Sequence, residues 1–173
     1  MDPRVKKILF TTDLTSNARD VFKHAVFLAE RFGASITMLH VIEDIPPSDK
    51  SLLKEELGEE AYNEMEQTKQ ATVTNSMIGK QKEAPMIEHV LQKLSEDATQ
   101  GTAGGSPVVV DKRLVTIGRI DEEILYQADA NECDLIVMAN HLRSATPEKP
   151  LAGTVAGVVR RGKKQVYLVP VFD

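Results

Sequence analysis

Residues 5–42 read VKKILFTTDLTSNARDVFKHAVFLAERFGASITMLHVI, and the spacing of apolar residues within them decides the fold. Val5 to Phe10 barely alternates, as expected of a strand buried on both faces. Asp13-Leu14-Thr15-Ser16-Asn17 then supplies turn and N-cap chemistry, because short side-chain oxygens can accept the orphan amides of a new helix. Ala18, Val21, Phe22, Ala25, Val26, Ala29 and Phe32 recur at spacings of three and four, which is one face of a helix. Gly33 falls where a left-handed C-cap residue belongs. Ser35 to Ile42 is apolar again. Strand, helix and strand in this order make a βαβ unit with parallel pairing.

Working outward, the chain repeats this grammar near its other end. Val108 to Ile117 reads as a strand with a kink expected at Asp111-Lys112, followed by a turn at Gly118-Arg119-Ile120. Ile124, Leu125 and Ala128 mark a helix from about Asp121 to Asn131, and Leu135 to Met138 is another continuous apolar strand. Asn140 to Gly153 reads as a loop, Thr154 as the cap of a short helix to Arg161, and Val166 to Val169 as the last strand. The middle is less regular. Leu52, Leu53, Leu57, Ala61, Tyr62 and Met65 form one helical stripe, and Met86, Ile87, Val90, Leu91, Leu94 and Ala98 another. The expected architecture is a single α/β domain over residues 1–173, a doubly wound parallel sheet of five strands with helices on both faces. Such sheets bind ligands at the carboxyl ends of the strands, where the strand order reverses.

Composition narrows the function classes. Twenty-one Lys and Arg against 26 Asp and Glu give a net charge of −5, which argues against a nucleic-acid binder. The longest apolar run, Leu135 to Ala139, is far short of the roughly 20 residues of a membrane span, and the polar N-terminus does not resemble a signal peptide. A cytoplasmic protein is therefore expected. The single cysteine, Cys133, excludes an internal disulfide. With four scattered histidines it offers no metal-ligand spacing, so no metal site is expected. Acidic neighbours should raise the Cys133 pKa and leave it a small packing residue. There is no Gly-x-Ser-x-Gly elbow, Gly-x-Gly-x-x-Gly fingerprint or Walker loop, and no catalytic residue is assigned. The Glu-rich stretch from Ser51 to Gln70 reads as a solvated helix face, with a partner surface as the alternative.

Two short motifs have the right places for a ligand. Thr12-Asp13 closes the first strand, where the carboxylate can meet a ribose or adenine or simply cap the next helix. Gly153-Thr154-Val155 opens a helix, whose free amides and positive dipole end favour phosphate; a tight turn with a Thr cap is the plainer alternative. His141, Arg143 and Ser144 lie in the loop before it and could meet an anion, though such residues in loops are usually solvated.

Taken together, several stretches resemble the universal stress protein family. These are Lys7-Ile8-Leu9-Phe10-Thr11-Thr12-Asp13, Ala25 to Val41, Gly118 to Ile124, Asp134 to Met138, Gly153-Thr154-Val155-Ala156 and Val166 to Pro170. They occur in the family's order, leaving out roughly residues 44–105, a segment of variable length in that family. The resemblance implies a sheet ordered 3-2-1-4-5, a role in stress adaptation, and a homodimer paired through the last strand, Val166, Tyr167, Leu168 and Val169. It also implies an adenosine site at Asp13 and Val41, with Thr12 beside them, and a phosphate site at Gly153, Thr154 and Val155.

Members that bind ATP carry Gly-x2-Gly-x9-Gly-Ser/Thr after the fourth strand. Here Ala139 and Leu142 stand at the first two glycine positions, and ten residues rather than nine separate Leu142 from Gly153. Glycine lets backbone amides approach phosphate without an intervening Cβ and permits positive φ. A leucine forced into left-handed geometry would cost about 1–2 kcal/mol. The expectation is a protein without tight ATP binding and with no cofactor. ATP or AMP, with Arg143 standing in for the missing amides, is the alternative.

Overall fold

A computed structural model describes residues 3–43, 58–61, 63–64, 83–97, 107–142, 147–148, 151 and 153–172. The strands are β1 (Lys7–Thr11), β2 (Ser35–Glu43), β3 (Val110–Gly118), β4 (Leu135–His141) and β5 (Gln165–Val171). The helices are α1 (Ala18–Phe32), α2 (83–97), α3 (Ile120–Ala130) and α4 (Gly153–Arg161). All strands are parallel in the order β3-β2-β1-β4-β5. This is the doubly wound sheet expected from the sequence. The Ser51 to Gln70 stripe lies largely outside the described residues, of which 59–61 and 63–64 are helical.

Strand alternation sends apolar side chains to both faces. Ile8, Phe10, Ile36, Met38 and Val137 meet α1 and the Leu91 and Leu94 face of α2. Leu9, Leu39, Ile136 and Met138 meet Ile124 of α3 and Val155 and Val158 of α4. Burial on both sides is why these strands read as unbroken apolar runs. Gly33 ends α1 with φ 64° and donates its amide to Ala29, as its left-handed role demands. Among the described residues, no helix is long and apolar enough to cross a membrane.

Several boundaries differ from the sequence reading. The kink in β3 is a bulge: Ile36 aligns with Val110 but Thr37 with Lys112, leaving Asp111 as the extra residue. Asp111 is held there by the Thr37 hydroxyl at 2.7 Å and Lys7 Nζ at 3.0 Å. Asn140 and His141 belong to β4 rather than to a loop, because they align with Pro170 and Val171 of β5. The oxygens expected to cap α1 fold the preceding turn instead. Thr12 Oγ1 accepts from the Leu14 amide and Asp13 Oδ1 from the Thr15 amide, while Asn17 makes no side-chain cap bond. Helix α4 starts at Gly153, so Thr154 lies inside its first turn rather than capping it.

Candidate functional site

Connections leave β1 and β4 in opposite directions across the sheet, and a cleft of about 230 Å³ opens between their carboxyl ends. Its walls come from four elements. The end of β1 and its turn contribute Phe10 to Asp13, α1 contributes Ala18 and Val21, β4 contributes Met138 to His141, and α4 contributes Gly153 to Val155.

Asp13 is fixed within this cleft. The amide of Thr15 donates to Oδ1 at 3.1 Å, and His141 Nε2 lies 2.5 Å from Oδ2. An ionised carboxylate only accepts, so Nε2 carries the proton in this pair. Burial pushes the Asp13 carboxyl up, but the Thr15 amide, the His141 and Thr15 side chains and the charge of His141 together hold it below its ordinary value. Leu14, next in the chain, has φ 59°, which for a leucine costs about 1–2 kcal/mol. The turn bonds on either side of it sustain that conformation. The strand end is pinned too: Thr12 donates its amide to Leu39 at 3.0 Å, and His40 Nδ1 donates to the Thr12 carbonyl at 2.8 Å.

Across the cleft, Gly153 has φ 58°, with open space where a Cβ would stand. Its glycine is therefore required by backbone conformation, not by crowding. The first turn of a helix leaves amides without an intrahelical partner at the positive end of its dipole, and Gly153, Thr154 and Val155 of that turn in α4 line the cleft.

Six of the sequence-selected residues line the cleft: Thr12, Asp13, Ala139, Gly153, Thr154 and Val155. Val41 is not in its wall. It is 5% exposed and packs in the core beneath α3 and α4, in the same cluster as Val155. Leu142 follows β4, half-buried, and is not in the wall either. Leu142 does not take positive φ, so the left-handed strain anticipated for it is absent. Arg143 and Ser144 lie outside the described residues.

His141, noted in the sequence as a loop residue that could meet an anion, also lines the cleft, and its pairing with Asp13 was not foreseen. The signal available was topological: two polar residues at the carboxyl ends of neighbouring parallel strands face one crevice. Cys133 sits at the opposite, amino end of β4, fully buried, and burial pushes its thiol up. Among the described residues no group of three His, Cys, Asp or Glu side chains could hold a metal ion. The cleft thus brings a carboxylate–imidazole pair, Asn140 and the first turn of α4 around one space.

Known proteins share this fold. The chain is 24% identical over 169 residues to the universal stress protein MJ0577 of Methanocaldococcus jannaschii, covering 98% of this chain and 97% of that one. The structure of MJ0577 matches with a TM-score of 0.58, 22% identity and 98% coverage of both chains. UspA from Lactobacillus plantarum matches with a TM-score of 0.63 at 19% identity, covering 97% of this chain and 99% of that one. A universal stress protein solved in complex with cAMP gives 0.60 at 15% identity, covering 96% and 98%. The universal stress protein family model matches residues 4–170, from before β1 to within β5, and the chain belongs to that family.

Proposed function

We propose that this protein is a cytoplasmic homodimer acting in stress adaptation, whose switch-point cleft takes an adenine nucleoside or nucleotide but does not hold ATP tightly. The observation that carries this reading is the composition of the cleft. Its Thr12-Asp13 end and its Gly153-Thr154 end are both in place, whereas Ala139 lines the wall where ATP-binding relatives have glycine. The complex of one structural relative with cAMP supports a nucleotide-sized occupant. The weakness toward ATP follows from missing contacts rather than strain. Each amide bond to a charged phosphate that the glycine loop would supply is worth about 1.5–3 kcal/mol, or roughly ten- to a hundredfold in affinity.

Dimerisation is supported by β5. It ends the sheet, pairs only with β4 among the described strands, and presents Val166, Tyr167 and Leu168 half-buried. An apolar edge of this kind invites pairing unless something covers it.

Equilibrium dialysis of adenosine, AMP and Mg-ATP tests the ligand reading, with Ala139→Gly/Leu142→Gly as the comparison. The double variant should bind ATP at least about tenfold more tightly than the natural chain. Low-micromolar ATP binding by the natural chain would overturn the reading. Sedimentation equilibrium tests the dimer, and a monomer at tens of micromolar would remove it.

A further inference from the structure

Asp13 and His141 stand 128 residues apart in sequence, yet they meet across the cleft, one from the turn after β1 and one from the last position of β4. They are also the ionisable side chains among the described residues that line it. The cleft residues of α1, Ala18 and Val21, carry no charge, and neither do Gly153, Thr154 and Val155 of α4. His40 of β2 stands behind the turn, with Nδ1 on the Thr12 carbonyl, and does not line the cleft. The formal charge of the described cleft wall is therefore that of one pair: zero with an imidazolium on the carboxylate, and −1 with a neutral imidazole.

We propose that the Asp13–His141 pair is the specificity element of this cleft, admitting a nucleoside that carries a single anionic group when His141 is protonated and disfavouring it when His141 is neutral. The proposal rests on the reading that the cleft binds nucleosides, and it names which member of that class is preferred. The physical reason is the cancellation of charge. A carboxylate whose charge is not balanced repels an incoming anion in a partly desolvated cleft, whereas an imidazolium beside it cancels that charge. A neutral nucleoside gains nothing comparable. Its affinity should follow shape and hydrogen bonding, not the state of the pair. Histidine is the side chain that ordinarily changes charge between about pH 5 and 8, so the preference is expected to switch in that interval.

The probe must not titrate there itself. A phosphate monoester has its second ionisation near pH 6, so adenosine 5′-sulfate, a fixed monoanion, is the informative ligand, with adenosine as the neutral reference. Calorimetric titration of both between pH 5 and 8.5, on the natural chain and on His141→Asn and His141→Gln, reads the ratio of their affinities. In the natural chain the preference for the sulfate should fall about tenfold across the range, on the order of one charge–charge interaction in a partly hydrated cleft. In both variants the ratio should be flat with pH. Adenosine binding with a ratio that is flat in the natural chain, or that still switches in both variants, overturns the proposal and leaves the nucleoside reading standing. No binding of either ligand at millimolar concentration overturns both.

Discussion

Alanine at Gly157 should destabilise this protein, and most of that cost should disappear once the Asp121 carboxylate is removed. Gly157 lies in the middle of α4, where alanine is intrinsically favoured over glycine by about 1 kcal/mol. The neighbouring helix forbids the exchange. A Cβ at this position would fall 3.0 Å from both Cβ and Cγ of Asp121, and closer still to Oδ2. Asp121 cannot swing aside cheaply, because its carboxylate is gripped by Arg161 of α4, lies 3.8 Å from Arg119 and accepts the Glu122 amide at 3.0 Å.

Overpacking of this kind costs about 1–3 kcal/mol, so after the propensity gain Gly157→Ala should be net destabilising by up to about 2 kcal/mol and lower Tm by up to about 8 °C. Asp121→Ala alone loses a half-exposed ion pair and an acid in the first turn of α3, about 1 kcal/mol. In that background the added methyl meets no carboxylate. The Cβ at position 121 stays 3.0 Å away, so the crowding is relieved in part, giving a coupling of about 1–2 kcal/mol and a cost close to zero in that background. Urea unfolding of the four proteins closes the cycle. If Gly157→Ala stabilises the natural chain, or destabilises both backgrounds equally, the close approach of α3 and α4 at this point is wrong.

Other substitutions probe the core and the electrostatics. Ile136 is fully buried near the start of β4, between Leu9 and Val166, so Ile136→Ala should cost about 2–5 kcal/mol with an unchanged urea m-value; a loss below 1 kcal/mol would contradict this packing. Thr116 Oγ1 is buried without a hydrogen-bond partner among the described residues, so Thr116→Val should be neutral or stabilising by up to about 1 kcal/mol, and clear destabilisation would reveal a partner for the hydroxyl. The Asp13 carboxyl is held below its ordinary value of 3.8, so its contribution to stability is complete above that value and lost as pH falls through the lower, folded value. Carboxyl carbon NMR of His141→Asn should show the Asp13 midpoint moving upward, since one of the bonds that lower it has gone; no movement would dissolve the pair.

The architecture was legible because its determinants are local. Ile8, Leu9 and Phe10 face different layers yet are all buried, and a run with no alternation is the signature of a parallel strand covered on both sides. The spacing from Ala18 to Ala29 marks the buried side of α1 directly. What escaped was set by contacts between distant segments. Asn140 and His141 are polar and read as loop, and only pairing with Pro170 and Val171 makes them strand. The turn oxygens of Thr12 and Asp13 could satisfy either a helix cap or their own loop, and sequence does not choose between neighbouring amides.

Within the site, Thr12, Asp13, Gly153 and Thr154 were found because strand ends and helix starts are visible from hydrophobic pattern alone. Val41 shares its strand end with the cleft but turns to the core. The union of Asp13 with His141 required the order β1-β4, which no local pattern encodes.

The location of the binding site is open to one direct measurement. Adenosine titrated into the ¹⁵N-labelled protein should shift the amides of Thr12, Asp13, Asn140, His141 and Thr154 together, with a single saturation curve. Shifts gathered instead along α2 and the outer edge of β3, or no shifts at millimolar nucleoside, would contradict a ligand site at the junction of β1 and β4.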